Sequence, residues 1–186
     1  TTLVNHLLRT ADGLRLAVLV NEFGSLAIDE DLILARDDNL ISLAGGCVCC
    51  SFGSDLMTAL MDLQQMQPSP QRIIIEASGV ALPAAIAASV SLLPDYRPEG
   101  VVVLADAESV MERAADVYMG DTITRQLADA DLVLLSKCDL IDTARKAQLL
   151  SWLSAQIAST AVIPTSAASL PPPAALFGLD HSAAWP

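Results

Sequence analysis

The 186-residue sequence predicts a doubly wound α/β fold with a mostly parallel sheet. Two observations predict this fold: short apolar runs rich in β-branched residues recur along the chain, and stretches with helical spacing separate them. Such runs are typical of strands that are buried on both faces of a parallel sheet. The five predicted strands are residues 16–20, 73–75, 101–104, 132–135 and 161–163.

Helical spacing of apolar residues predicts four helices between and around these strands. In the second helix, Leu56 and Leu60 lie four residues apart, as do Met57 and Met61, and Pro68 ends the pattern. The four predicted helices are residues 1–9, 54–67, 121–128 and 143–157.

Composition excludes several classes of protein. Hydrophobic residues make up 53% of the chain and charged residues 17%, which argues against a disordered chain. The net charge of −12 argues against nucleic-acid binding, because basic surface is needed to neutralise phosphates. The longest apolar run, residues 80–93, is interrupted by Pro83, Ser89 and Ser91 and is too short to span a membrane. We therefore expect neither nucleic acid nor a membrane as partner.

The domain organisation is predicted as one domain over residues 1–170 and an exit linker over residues 171–186. The linker begins with Pro171-Pro172-Pro173 and would lead toward a C-terminal domain that is absent here. The chain opens without a signal peptide and without an initiator methionine, so we expect a segment upstream.

Polar residues follow three of the predicted strands, where ligands of doubly wound folds bind. Glu76 can hold the water shell of Mg²⁺, and the amide of Gly79 can contact a terminal phosphate. The stretch Ser136-Lys137-Cys138-Asp139 resembles a guanine-recognition motif, in which the last carboxylate accepts from guanine N1 and N2. Ser166 and Ala167 follow the fifth strand and resemble the short loop that backs the guanine ring.

Three of the four cysteines fall within four positions, as Cys47, Cys49 and Cys50. Thiolates select Zn²⁺ or similar metals, and the neighbouring glycines allow a tight backbone bend. A carboxylate such as Glu22 would complete the ligand set of such a metal site. Buried cysteines in the core and a redox switch remain alternatives. Because adjacent cysteines do not readily bridge each other and Cys138 is distant, we expect a reducing cytoplasm rather than a disulfide framework.

Five segments together resemble the CobW family of metallochaperone GTPases, relatives of UreG and HypB. The resemblance extends from Thr1 to about Ala167 and implies the fold of a P-loop GTPase. The segments are NEFG at residues 21–24, GGCVCCS at 45–51, IIIEASG at 73–79, VVVLADA at 101–107 and LADADLVLLSKCDL at 127–140.

The resemblance also implies roles for the first two residues, and the sequence departs from the family pattern at two positions. It implies that Thr1 and Thr2 end a Gly-Lys-Thr-Thr motif, with Thr1 on Mg²⁺ and Thr2 near the α-phosphate. The first strand, the glycines and the lysine would then precede residue 1, and this chain alone would be inactive. Ser136 stands where the family usually has Asn, and Ser25 stands where an acid commonly follows NEFG.

The function that the resemblance implies is GTP hydrolysis coupled to delivery of Zn²⁺ or Co²⁺ to a client metalloprotein. Glu76 would be catalytic, with Asp106 as the next candidate, and a nucleotide-dependent homodimer would be a further partner. Two alternatives remain open: a non-catalytic zinc-binding module on a degenerate P-loop scaffold, and an ATP-dependent relative with the same type of sheet.

Overall fold

The computed structural model describes residues 2–11, 13–20 and 48–179, with side chains from residue 56 onward in the last range. Within these residues, every two consecutive strands are separated by at least one helix. The helices are α1 (Thr2–Arg9), α2 (Val48–Gln65), α3 (Pro83–Val90), α4 (Val110–Ala114), α5 (Gly120–Ala128) and α6 (Thr143–Gln156). The strands are β1 (Leu16–Val20), β2 (Arg72–Glu76), β3 (Val102–Asp106), β4 (Leu132–Ser136) and β5 (Ala161–Pro164).

The chain divides into two compact units, residues 1–81 and 82–186. In the first unit, β1 pairs with β2 in parallel, and Val20 lies opposite Glu76. In the second unit, β4 lies between β3 and β5, and all three strands are parallel. Parallel pairing throughout confirms the predicted α/β class, since strands of this kind need crossover connections that contain helices.

The core of the first unit is built around β1. All five residues of β1 are at most 5% exposed, as expected for a continuous apolar run that is covered on both faces. Val4 of α1 packs with Val18 and Val20 of the strand. In α2, Leu56, Leu60 and Leu63 are buried at helical spacing, which confirms the predicted leucine pair of this helix, whereas Met61 of the predicted methionine pair is 51% exposed.

The core of the second unit lies against its central strand β4. Val133 and Leu135 of β4 are fully buried and cluster with residues of α5 and α6. The helices contribute Val110, Ile123, Leu127, Leu149 and Leu153 to this cluster, and Ile157, which follows α6, completes its buried part on that side. Asp142 caps α6, its carboxylate accepting a hydrogen bond from the Arg145 amide at 2.7 Å.

The structure differs from the prediction in two respects: it contains two additional helices, and α2 begins earlier. Two helices, α3 and α4, were not predicted: the first has Pro83 in its first turn and an Ala-rich sequence without clear periodicity, and the second has only five residues. Helix α2 begins at Val48 rather than at residue 54, so it continues through Gly53, which is unfavourable inside a helix. Cys49 and Cys50 therefore lie in its first turn, where a bent loop was expected.

The proline-rich segment returns to the start of β3 in the second unit. It contains a short 3₁₀ helix, Pro173–Ala175, and Leu176 is only 7% exposed. A Cβ atom on Gly100 would lie 2.8 Å from Cβ of Leu179, so glycine permits this close approach. The linker assignment of residues 171–186 remains a prediction. Among the described helices, none combines the length and apolar character that crossing a membrane would require.

Candidate functional site

The carboxyl ends of β3, β4 and β5 lie together at one edge of the sheet in the second unit. This follows from the parallel register, in which Asp106 lies opposite Ser136 and Leu135 lies opposite Pro164. Ligands of open α/β sheets bind at this edge. The residues that follow β4, Ser136 to Asp139, form a tight segment that we call the 136–139 turn.

The 136–139 turn contains a residue with unusual backbone geometry. Lys137 has φ 58° and ψ 31°, which places it in the left-handed region, and it is the only non-glycine residue with positive φ among the described residues. A side chain with a Cβ is uncommon there, so surrounding contacts must hold the conformation. A 3₁₀ helix, Cys138–Leu140, follows directly and carries Asp139.

Hydrogen bonds connect the turn to the end of β3. The Ser136 hydroxyl donates to the Ala105 carbonyl at 3.1 Å, and the Ala107 amide donates to the Ser136 carbonyl at 3.0 Å. The small Ser136 side chain, which replaces the expected Asn, therefore still makes a contact across strands. These two bonds fix the beginning of the turn to the neighbouring strand.

A second set of hydrogen bonds connects the turn to the end of β5. The Cys138 amide donates to the Thr165 carbonyl at 3.0 Å, and the Thr165 amide donates to the Leu135 carbonyl at 2.7 Å. The Cys138 thiol also donates to the Leu135 carbonyl at 3.1 Å. Thr165 is 4% exposed, so this side of the turn is anchored in the interior.

The Lys137 side chain points to carboxylates at the end of β3. Its ammonium lies 2.7 Å from Oδ2 of Asp106 and 3.7 Å from Oε2 of Glu108. Burial alone would raise the pKa of Asp106, but the hydrogen bonds from Lys137 and the Glu108 amide, with the nearby positive charge, lower it. The hydrogen bond to Asp106 and the negative charges raise the pKa of Lys137. The lysine is therefore held as a cation against β3.

The other predicted base-binding residues lie in this turn or in the loop that follows β5. Asp139 is exposed, so its carboxylate is accessible to a ligand. Ser166 forms a bridge with Ser169 through two backbone hydrogen bonds of 3.2 and 3.1 Å, and Ala167 lies within that bridge. The short polar loop after β5 is thus a closed turn that follows directly on Thr165.

The predicted phosphate-binding residues lie at the end of β2 in the first unit. Glu76 is the last residue of that strand, and its Oε2 atom is shielded from solvent. Ser78 Oγ is buried and has no hydrogen-bond partner within the described part of the chain. Gly79 has open space around it among the described residues, since none of them lies within 4 Å of a Cβ at this position. A carboxylate, an unpaired hydroxyl and an accessible glycine fit a hydrated Mg²⁺ with a phosphate.

Several predicted site residues lie outside the residues that the structure describes, or are described there without side chains. Thr2 begins α1 and is exposed, whereas Thr1, Glu22 and Cys47 lie outside the described residues. Cys49 and Cys50 are placed only as residues of α2, without side chains. No cluster of three or more potential metal ligands occurs in residues 2–11, 13–20 and 48–179, a range that omits much of the predicted zinc site. The zinc ligands remain a prediction.

Sequence reasoning did not anticipate two features, one in each unit. The sequence suggests Asp106 only as a second candidate for catalysis after Glu76, whereas in the structure its carboxylate accepts a hydrogen bond from Lys137. The signal that could have found this contact is register: both strands end at this edge, and Asp106 pairs with Ser136, the residue before the lysine. Ser78 was not singled out, and a lone serine gives no pattern to detect.

Comparison with known proteins gives a family match and several relatives. The nucleotide-binding domain of the CobW/HypB/UreG family matches residues 1–164. The zinc chaperone CobW of Sinorhizobium sp is 34% identical over 173 residues, an alignment that covers 77% of this chain and 49% of the relative. The zinc-regulated GTPase metalloprotein activator 1 of Dictyostelium discoideum is 27% identical, with 78% of this chain and 38% of the relative covered.

A third relative has a known structure. The zinc chaperone YjiA of Escherichia coli (strain K12) is 33% identical over 154 residues, covering 78% of this chain and 48% of YjiA. The crystal structure of the Zn(II)-bound YjiA GTPase superposes with a TM-score of 0.66 at 23% identity, covering 98% of this chain and 58% of that chain. The superposition shows that the two chains share a fold, and together with the family match this identifies the fold as the P-loop NTPase type. The chain spans about half the length of the curated relatives CobW and YjiA.

Proposed function

The chain belongs to the CobW/HypB/UreG family of nucleotide-binding domains, and on this premise we propose that the whole protein is a GTP-hydrolysing metallochaperone. In this proposal it binds zinc and delivers it to a client metalloprotein. The observation that carries the proposal is the 136–139 turn, where an exposed Asp139 follows the left-handed Lys137 at the carboxyl end of β4.

The turn supports guanine as the base. A carboxylate at Asp139 can accept from both the N1 proton and the N2 amino group of guanine, whereas adenine offers no such pair of donors. Lys137, held as a cation, and the closed turn around Ser166 and Ala167 would border the base on its other sides. The exposed carboxylate at the end of β4 would therefore select GTP over ATP.

The end of β2, in the first unit, supports the phosphate and magnesium chemistry of the proposal. Glu76 would hold Mg²⁺ or its bound water together with Thr1, while Gly79 and Thr2 would approach the phosphates. When bound, Mg²⁺ neutralises charge that develops on the phosphate oxygens. Glu76 would also orient the attacking water, and the buried Ser78 hydroxyl is available to a phosphate oxygen or an ordered water.

The cargo is proposed from the cysteines and from the relatives. Cys47, Cys49 and Cys50 with Glu22 would form a donor set that suits zinc and also accommodates cobalt. CobW and YjiA are named zinc chaperones, which supports zinc as the metal. We further propose delivery to a client metalloprotein, which the name of the related metalloprotein activator supports, a nucleotide-dependent homodimer, and a reducing cytoplasm, the compartment that the cysteine pattern predicts.

The proposal is tested by measuring whether nucleotide state and zinc affinity are coupled. Zinc is titrated into the full-length protein with a non-hydrolysable GTP analogue and with GDP. We expect one zinc per chain, and affinities that differ by about 5- to 150-fold between the two nucleotides. Serine at positions 47, 49 and 50 should abolish this site, whereas the matched control Cys138→Ser should leave zinc affinity unchanged. Equal zinc affinity in both states would leave a zinc-binding GTPase without a chaperone switch.

A further inference from the structure

We propose that Asp106 is a positioning residue of the 136–139 turn: its carboxylate holds Lys137 and so fixes the backbone that presents Asp139 to the base. This inference rests on the proposed function, because guanine is the ligand that the turn is proposed to bind. It assigns Asp106 to base selectivity rather than to catalysis.

Both oxygens of Asp106 are used. Oδ2 accepts from the Lys137 ammonium at 2.7 Å, and Oδ1 accepts from the Glu108 amide at 2.9 Å. One carboxylate therefore joins the loop after β3 to the turn after β4. Asp106 is itself the last residue of β3 and is paired in register with Ser136, so its main chain is fixed by the sheet.

The residue that Asp106 holds is the one whose backbone needs support. Lys137 occupies the left-handed region with a full side chain, a conformation that persists only where its surroundings determine it. Asp139 follows two residues later, so a relaxation of φ and ψ at Lys137 would move the carboxylate that recognises the base. The hydrogen bonds from Ser136 and Cys138 fix the flanks of the turn, and the ion pair acts on its centre.

Glu108 limits the effect of losing Asp106. Its Oε2 atom lies 3.7 Å from the Lys137 ammonium, so it can retain part of the attraction when Asp106 is neutralised. The informative variants are therefore Asp106→Asn and the double variant Asp106→Asn/Glu108→Gln. Asp106→Glu keeps the charge and serves as the conservative rescue.

The test measures the ratio of GTP to ATP affinity in the full-length protein. Asp106→Asn should lower this ratio by about two- to fivefold, the range expected for an exposed ion pair, and the double variant should lower it further. Asp106→Glu should recover part of the loss. The ratio is the appropriate readout because a loss of folded, binding-competent protein reduces the apparent affinity for both nucleotides equally.

Two controls separate positioning from a general effect of charge. Glu112→Gln removes another exposed carboxylate of the second unit, one that pairs with Arg145, and should leave the ratio unchanged. In a Lys137→Met background, Asp106→Asn should have no further effect, since the lysine through which it acts is gone.

The outcomes distinguish this inference from the proposed function. If Asp106→Asn leaves the ratio of GTP to ATP affinity unchanged, as Glu112→Gln should, the positioning role is refuted while guanine binding stands. The same holds if Asp106→Asn still lowers the ratio in the Lys137→Met background. If the unmodified protein binds GTP and ATP equally, the proposed function is refuted, and this inference fails with it.

Discussion

Replacing Asp139 by Asn is the sharpest test of base recognition. The carboxylate is exposed and the fold does not depend on it, so the free energy of unfolding should change by no more than about 0.5 kcal/mol. GTP binding, in contrast, would lose one charge-assisted pair of hydrogen bonds. Such a loss costs about 1.5–3 kcal/mol, which corresponds to an affinity roughly 10- to 150-fold lower. Xanthine nucleotide should bind better to the variant, because xanthine and Asn reverse the donor and acceptor at the second ring position.

The assay is competition of GTP, ATP and xanthosine triphosphate for the full-length protein, with thermal unfolding measured on the same samples. Asp121→Asn is the matched control, because it makes the same change at another exposed Asp of the second unit. An equal loss of GTP affinity in both variants would show a non-specific effect of charge. An Asp139 variant that still prefers GTP over xanthosine triphosphate would refute base recognition by this residue.

Three further outcomes are expected. Glu76→Ala should lower kcat for GTP hydrolysis by at least about tenfold with little change in nucleotide affinity, because its role arises during phosphoryl transfer; unchanged turnover would move that role elsewhere. The pKa of Asp106 lies below its ordinary value of 3.8, so its contribution to stability should be complete above that pH and should be lost as the pH falls through the lower pKa of the folded state. The urea midpoints of the parent and of Asp106→Asn should therefore converge at acid pH. A difference that stays constant with pH would contradict this. In urea unfolding, Gly120→Ala should destabilise the protein by about 1–3 kcal/mol, because the new Cβ would lie 2.6 Å from the Ala114 carbonyl oxygen. Gly79→Ala is the control and should be nearly neutral in the same assay, because no described residue lies within 4 Å of its Cβ.

Most of the fold could be predicted because its signals are local. Continuous apolar runs such as residues 16–20 and 132–135 coincide with β1 and β4 to within a residue, because a strand that is buried on both faces is apolar at every position. Helix α3 was missed because an alanine-rich segment has no distinct polar face. The start of α2 was placed too late because Gly53 and Ser54 together resemble a helix boundary.

The site was predictable where residues follow strands and unpredictable where side chains meet across them. The placement of Glu76 and Ser136 at strand ends is confirmed, and Lys137 and Asp139 follow directly, as the order of motifs indicated. The contact of Asp106 with Lys137 depends on strand register and on a left-handed backbone, and neither leaves a pattern in one sequence.

The left-handed backbone at Lys137 also constrains how sequences can vary at this position. A saturation library selected only for folded protein should be enriched there in Gly and Asn, which adopt positive φ at low cost, and depleted in Val and Ile. A library selected for nucleotide binding should retain a cation. The difference between the two amino-acid profiles would separate what the turn requires sterically from what its ligand requires chemically.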